Sequence, residues 1–408
     1  MTRSFFILSL MMGPLLGQQT RLPAPSIPDG FGVNIHFTSA GADELNALHA
    51  SGSRLIRMDF TWGRAERTKG EYDFSAYDGL AASMTKLGIR CLFILDYGNQ
   101  LYDDNLSPHT EEGRAAFARF AGAAAKHFAG KGILWEIWNE PNIGQFWKPK
   151  PSAEDYSAMA LATIDAVRQA DPNAFIMGPA SSAFPWDFFE TMGQRGVFAK
   201  LDAVSVHPYR RADPETVEAD YARLRELLGR HAPGRNIPIV SGEWGYTAVD
   251  VSEEKQADYL VRQRLVNLSL QVPVSVWYDW KDDGADPKER EHHFGTVYRD
   301  LKPKPGYIAG KALAETLAGY RFMRRVAAEN PKDYILEFQN DSGQIANAAW
   351  TTADAHSIKI DASGDLMVVS RDGQRRSARS QGGIEIQLSE SPQYIVMGST
   401  PDVLPSQP

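Results

Sequence analysis

The sequence predicts an α/β protein: a (β/α)8 barrel carrying a small antiparallel β-sandwich at its C-terminal end. Between residues 30 and 318, short apolar runs alternate with longer stretches of helical periodicity, the pattern of repeated βα units around a parallel sheet. Eight such runs occur, their starts about 23 to 43 residues apart, which leaves room each time for a strand, a helix and two loops. After Gly319 the period changes to short alternating runs broken by turn sequences. A chain of 408 residues holds a barrel of about 250 residues and a smaller module beside it.

The eight runs are Gly32-Val33-Asn34-Ile35-His36, Leu55-Ile56-Arg57-Met58, Cys91-Leu92-Phe93-Ile94-Leu95, Leu134-Trp135-Glu136-Ile137-Trp138, Phe175-Ile176-Met177-Gly178, Ala203-Val204-Ser205-Val206, Ile237-Pro238-Ile239-Val240 and Val274-Ser275-Val276-Trp277. The helices between them carry their own start signals. Ser152 followed by Glu154 and Asp155 opens a helix through Arg168, and Ser252 followed by Glu253 and Glu254 opens another through Leu270, because a serine caps free amides and acids favour the first turn. The Ala-rich stretch from Gly113 to Ala129 is a helix of small residues suited to close packing on the barrel. Beyond it all, runs at 334–338, 345–350, 357–360, 366–369, 384–388 and 394–397 are separated by Asn340-Asp341-Ser342-Gly343, Asp361-Ala362-Ser363-Gly364 and Arg371-Asp372-Gly373. The expected division is a signal peptide at 1–17, the barrel at 25–318, the β-sandwich at 319–400 as a buttress for the barrel, and a tail at 401–408.

Arg3 followed by the apolar run Phe5 to Leu16 has the form of a cleaved export signal, too short for a stable membrane span, so a secreted or periplasmic location is expected. A buried N-terminal strand or helix is the alternative for that run. Net charge is −8 and no long Lys/Arg run occurs, which argues against a phosphate backbone or an anionic membrane as partner. Cys91 is the lone cysteine; it forms no intrachain disulfide and sits in a run that reads as a buried strand. The pair His292-His293 lacks the spacing of a metal site and reads as a pocket loop; neither metal nor cofactor is expected.

In a barrel of this kind the reacting groups stand where the strands end, at the C-terminal face. Two acids stand there. Strand four runs out in Trp138-Asn139-Glu140-Pro141-Asn142 and strand seven in Ser241-Gly242-Glu243-Trp244-Gly245. Glu136 lies deeper in strand four and is read as a buried supporting group. Asp59 and Trp62 divide evenly between a pocket role and a cap or core role. Tyr97, Tyr102, Phe146, Trp147, Trp186, Trp244, Tyr246 and Trp280 add aromatic faces on which the C–H side of a sugar ring can stack.

Ile137-Trp138-Asn139-Glu140-Pro141 resembles the strand-four signature of the clan of retaining glycoside hydrolases built on TIM barrels, and Glu243-Trp244-Gly245 resembles that clan's strand-seven nucleophile site. The likeness covers about residues 30 to 318 and is closest to family 39, which includes xylosidases and exopolysaccharide-cleaving enzymes, with family 5 as neighbour. It implies Glu140 as acid/base and Glu243 as nucleophile. It further implies Arg57 beside the nucleophile, Asn139 toward the sugar 2-hydroxyl, His207 and Tyr209 after strand six, and Trp280 as a sugar platform. Trp147 and His36 complete the expected substrate-binding set. The chemistry wants the same pair: retention needs one protonated carboxyl near the leaving oxygen and one ionised carboxyl beneath the anomeric carbon, about 5 to 5.5 Å apart. The expected partner is a β-linked carbohydrate, cleaved in two displacements. Two other readings stay open here, a non-catalytic carbohydrate-binding protein on the same barrel and a transglycosylase using the same residues.

Overall fold

A computed structural model describes residues 21–398. The expected signal peptide and the whole of the expected tail therefore lie outside the described residues. Eight parallel strands close into a barrel: β1 (Phe31–Asn34), β2 (Leu55–Thr61), β3 (Arg90–Asp96), β4 (Leu134–Ile137), β5 (Phe175–Ser182), β6 (Ala203–His207), β7 (Ile239–Trp244) and β8 (Ser275–Trp277). Closure comes from β8 pairing in parallel with β1, Phe31 opposite Ser275 and Val33 opposite Trp277. The helices Glu111–His127, Ala153–Ala170 and Glu253–Ser269 are capped by side-chain oxygens of Thr110, Ser152 and Ser252, which accept from Gly113, Asp155 and Lys255.

Period-two alternation sorts each strand between the helix layer and the barrel interior. Ile56, Met58 and Phe60 of β2, Phe93 of β3, Trp135 and Ile137 of β4 and Val204 of β6 pack outward under the helices. Leu55, Leu92, Leu134, Phe175, Ala203, Val240 and Val276 fill the floor of the barrel. Two residues up from Leu55, Leu134 and Ala203, the same inward rows change to Arg57, Glu136 and Ser205, all buried. The floor is therefore apolar and the next layer is charged. That layer is the base on which the strand-end residues stand.

Past the barrel, eight antiparallel strands follow: β9 (Arg321–Arg325), β10 (Asp333–Gln339), β11 (Ile345–Thr351), β12 (His356–Ile360), β13 (Ser363–Ser370), β14 (Arg375–Gln381), β15 (Ile384–Leu388) and β16 (Gln393–Met397). Six form one sheet, in the order β14-β13-β16-β11-β10-β9, and β12 pairs with β15 alone. The two layers share Ile335, Ala349, Ile360, Val368, Ile386, Leu388 and Ile395. The opposite face of the larger sheet, through Leu336, Phe338, Ala348, Trp350, Tyr394 and Val396, joins the apolar core that runs on into the barrel. Polar contacts bind the same seam: Trp350 Nε1 donates to Glu215 Oε1 at 2.7 Å, and Arg371 donates to Asp258 Oδ1 at 2.8 Å. Strands β9 and β14 escape the sequence reading because Arg-Phe-Met-Arg-Arg and Arg-Arg-Ser-Ala-Arg-Ser-Gln are mostly polar edge strands with almost no apolar side to reveal a period. Among the described residues no helix is long and apolar enough to cross a membrane.

Candidate active site

Glu243 is the last residue but one of β7 and Glu140 follows β4, and the structure brings both carboxyls to the same face of the barrel. Oxygen atoms of Glu140 and Glu243 and a ring nitrogen of His207 all lie within 4.8 Å of one another. The turn that delivers Glu140 is held by backbone bonds, Trp138 N to Leu95 O at 3.0 Å and Glu140 N to Ala180 O at 2.9 Å. Trp138 and Glu140 both sit at positive φ, 68° and 45°, a conformation that costs energy for residues with a Cβ and that such surroundings over-determine at sites of function. Beside Glu243, Gly242 is required by close approach: a Cβ there would stand 2.3 Å from Ser205 Oγ.

Three donors converge on Glu243. Arg57 Nη1 reaches Oε2 at 2.6 Å, Asn34 Nδ2 reaches the same oxygen at 3.0 Å, and the Tyr209 hydroxyl reaches Oε1 at 2.8 Å. Arg57 is itself buried and fixed from three sides, since its Nε donates to Glu136 Oε2 at 2.6 Å and its Nη2 to Asn139 Oδ1 at 2.8 Å. Glu136 also accepts from the Ser205 hydroxyl, so the inward row of β4 holds the inward row of β2 in place. With its oxygen turned to Arg57, the Asn139 amide turns its donors the other way.

Glu140 meets a different environment. Burial pushes its carboxyl up to about 7, against the positive charge of Arg57 and a hydrogen bond from Ser182, both of which pull it down. His207 Nδ1 stands 2.9 Å from Glu140 Oε1. Burial lowers this histidine to about 4, so near neutral pH the ring is uncharged.

The sequence-predicted residues thus divide. Arg57, Asn139, Glu140, His207, Tyr209 and Glu243 are brought together. His36, after β1, lies one step aside: its Nε2 is 3.2 Å from Asp279 Oδ2, and this hydrogen bond raises its pKa above the ordinary histidine value. His36, Asp279 and Asp283 form one of two groups among the described residues in which three acid or histidine side chains stand close enough to share an ion; Glu140, His207 and Glu243 form the other. Trp280 and Trp147 are corrections. Each is only 1% exposed. Trp280 is turned inward, its Nε1 donating to Glu44 Oε1 at 3.1 Å, and Trp147 is wedged edge-on against Trp138 and Tyr156. Neither offers a face to a sugar. Trp62 is likewise core, donating to Glu66.

Sequence reasoning missed two neighbours of the pair. Asn34 was read as part of a strand, although a polar side chain at the C-terminal end of β1 is the signal that should have placed it in the site. Tyr278, directly after β8, is half-buried, edge-on to His36 at 5.8 Å and to Phe294 at 5.3 Å, and close enough to Glu243 to feel its charge. It stands where Trp280 was expected.

A closed eight-stranded barrel with glutamates after strands four and seven, one held by an arginine and the other buried, has the architecture of the glycoside hydrolases of the clan containing families 5 and 39. Residues 25–284 match the family model described as cellulase (glycosyl hydrolase family 5), and the chain belongs to that family. A β-xylosidase of Geobacillus stearothermophilus is 34% identical over 203 residues, covering 43% of this chain and 40% of the relative, so the match spans less than half of the relative's length. Among solved structures, a family 39 glycoside hydrolase from Bacteroides cellulosilyticus WH2 superposes with a TM-score of 0.79 at 24% identity, over 91% of this chain and 81% of that one. A family 39 β-xylosidase from Caulobacter crescentus gives 0.70 at 18% identity, over 93% and 98%. Both share the fold.

Proposed function

We propose that this protein is a secreted retaining β-glycoside hydrolase, with β-xylosides as the first substrate class to test. The observation that carries the reading is the asymmetric pair: two carboxyls with oxygens within 4.8 Å, one meeting three donors and the other raised to about 7 by burial. That spacing suits double displacement, because an inverting pair stands about 6.5 to 9.5 Å apart to admit a water. The similar β-xylosidase supports the choice of sugar, and the apolar run after Arg3 supports export.

In the first step a Glu243 oxygen attacks the anomeric carbon from below while the bond to the leaving oxygen breaks and Glu140 gives that oxygen its proton. The product is a glycosyl ester on Glu243. Esterification removes the negative charge of Glu243, so ionised Glu140 is less disfavoured than before and takes a proton from water. The water oxygen attacks the same carbon, the ester bond breaks, and the sugar leaves with its configuration restored by two inversions. Asn139, with its amide donors free of Arg57, supplies a bond to the sugar 2-hydroxyl that strengthens as charge develops on the ring.

Two measurements follow. In the free enzyme Glu140 must be protonated, so kcat/KM falls as pH rises through about 7, and the basic limb of the profile marks the loss of that proton. A limb left in place by Glu140→Ala would assign it to another group. The second is chemical rescue. Glu140→Ala should slow an aryl β-xyloside with a poor leaving group by about 10²- to 10⁴-fold, whereas with an activated aryl β-xyloside, whose first step needs no acid, added azide should attack the ester and speed turnover with release of a β-xylosyl azide. An α-azide would remove Glu140 from the acid/base role.

A further inference from the structure

A cleft of about 690 Å³ opens between the loops that follow β2, β3 and β4. Tyr97 and Trp138 form its inner wall. Trp138 precedes the Asn139-Glu140 turn, and Tyr97 lies within reach of the charge of Glu243, so the cleft continues from the reacting centre. Phe146 stacks on Tyr97 with ring centres 5.9 Å apart and planes at 16°, giving a half-buried aromatic slab. The rim is cationic. Arg64, Arg67 and Lys148 all line the cleft, all three are exposed, and none has a carboxylate within 4.0 Å among the described residues. Glu66, the acid of the lining, is spent: it accepts from Trp62 Nε1 at 2.5 Å, Gly70 N at 2.7 Å and the Tyr102 hydroxyl at 2.8 Å.

Three cations without a carboxylate partner thus gather around one aromatic slab, in a chain whose net charge is −8. Stacking on Tyr97 and Phe146 suits a pyranose ring, and guanidinium and ammonium groups at the rim suit a carboxylate on that ring. We infer that this cleft is a subsite for a sugar unit bearing a carboxylate, next to the unit held between Glu140 and Glu243, so that the substrate is an acidic glycan. The inference rests on the glycosidase reading for the role of the site but is testable without turnover.

The probe is affinity electrophoresis of the full chain carrying Glu243→Gln, in gels containing glucuronoxylan, alginate, polygalacturonate or hyaluronan, each run beside its carboxyl-reduced form. At low salt, at least one acidic polymer is expected to bind with a dissociation constant about tenfold or more below that of its reduced form. Adding R64Q, R67Q and K148Q should bring the two forms level. As a control for general charge attraction, adding R375Q and R376Q in exposed β14 instead should leave the preference in place. The inference is overturned if no acidic polymer is preferred, if the preference survives loss of the three cleft cations, or if the β14 control abolishes it to the same degree. Failure of the glycosidase reading shows separately, as absence of turnover of aryl glycosides by the unaltered protein.

Discussion

Replacing Glu243 by Gln is expected to lower kcat/KM on an aryl β-xyloside by about 10⁴-fold or more, equivalent to roughly 5.5 kcal/mol of transition-state stabilisation. The amide has the same shape and can still meet Tyr209 and Asn34, so the pocket should stay formed and substrate should still bind. What is lost is the oxygen nucleophile and the negative charge beneath the anomeric carbon. Because the covalent route is closed and the cleft leaves little room for a direct attack by water between carboxyls so close together, no slower path of similar efficiency is open. The same variant separates catalysis from recognition: a non-catalytic carbohydrate-binding protein would show no turnover to lose. Activity within tenfold of the unaltered protein would remove Glu243 from the chemistry.

Arg57→Met is expected to damage both stability and activity, which distinguishes it from the glutamate changes. Arg57 is buried, and its guanidinium is shared among Glu136, Glu243 and Asn139. Methionine fills much of the volume but leaves Glu136, fully buried on the inward row of β4, with Ser205 as its remaining hydrogen-bond partner and no cation. Breaking a buried ion pair from one side costs about 3–5 kcal/mol, and in a chain of this size that corresponds to a fall in Tm of roughly 4–6 °C. Kinetically, Glu243 loses its 2.6 Å anchor and Asn139 loses the bond that fixes its amide, so kcat should fall more than KM rises. Calorimetry and steady-state kinetics on the one variant check both parts. An unchanged Tm would mean that the barrel does not depend on the charged layer, and an unchanged kcat would mean that Arg57 does not position the nucleophile.

The barrel was legible because its strands alternate with capped helices at a spacing that few other folds produce, and Ser152 and Ser252 mark two of those helices by their side chains. The glutamates were legible from position: both follow an apolar run, and inward-facing rows can be counted from Leu134 to Glu136 and from Leu55 to Arg57. Aromatic residues were the weak point. Trp280 and Trp147 look like sugar platforms in a sequence because nothing local distinguishes a ring that closes a small core from one that faces a groove. That choice is made by distant partners such as Glu44, Tyr156 and Trp138, which no spacing rule brings together. Tyr278 and Asn34 were passed over for the converse reason: each lies in a strand or just after one, and its orientation depends on barrel closure between β8 and β1. The cationic cleft is also invisible along the chain, since Arg64 and Arg67 follow β2 while Lys148 follows β4.

The central claim is a covalent sugar ester on Glu243. Incubation with a 2-deoxy-2-fluoro-β-xyloside carrying an activated leaving group slows the second step by destabilising its oxocarbenium-like transition state, while the leaving group keeps the first step accessible. Intact-protein mass spectrometry should then show the addition of one fluoroxylosyl group, and peptide mapping should place it on Glu243. A label on any other side chain, or clean turnover of an unmodified β-xyloside to the α-anomer as first product, would contradict the account.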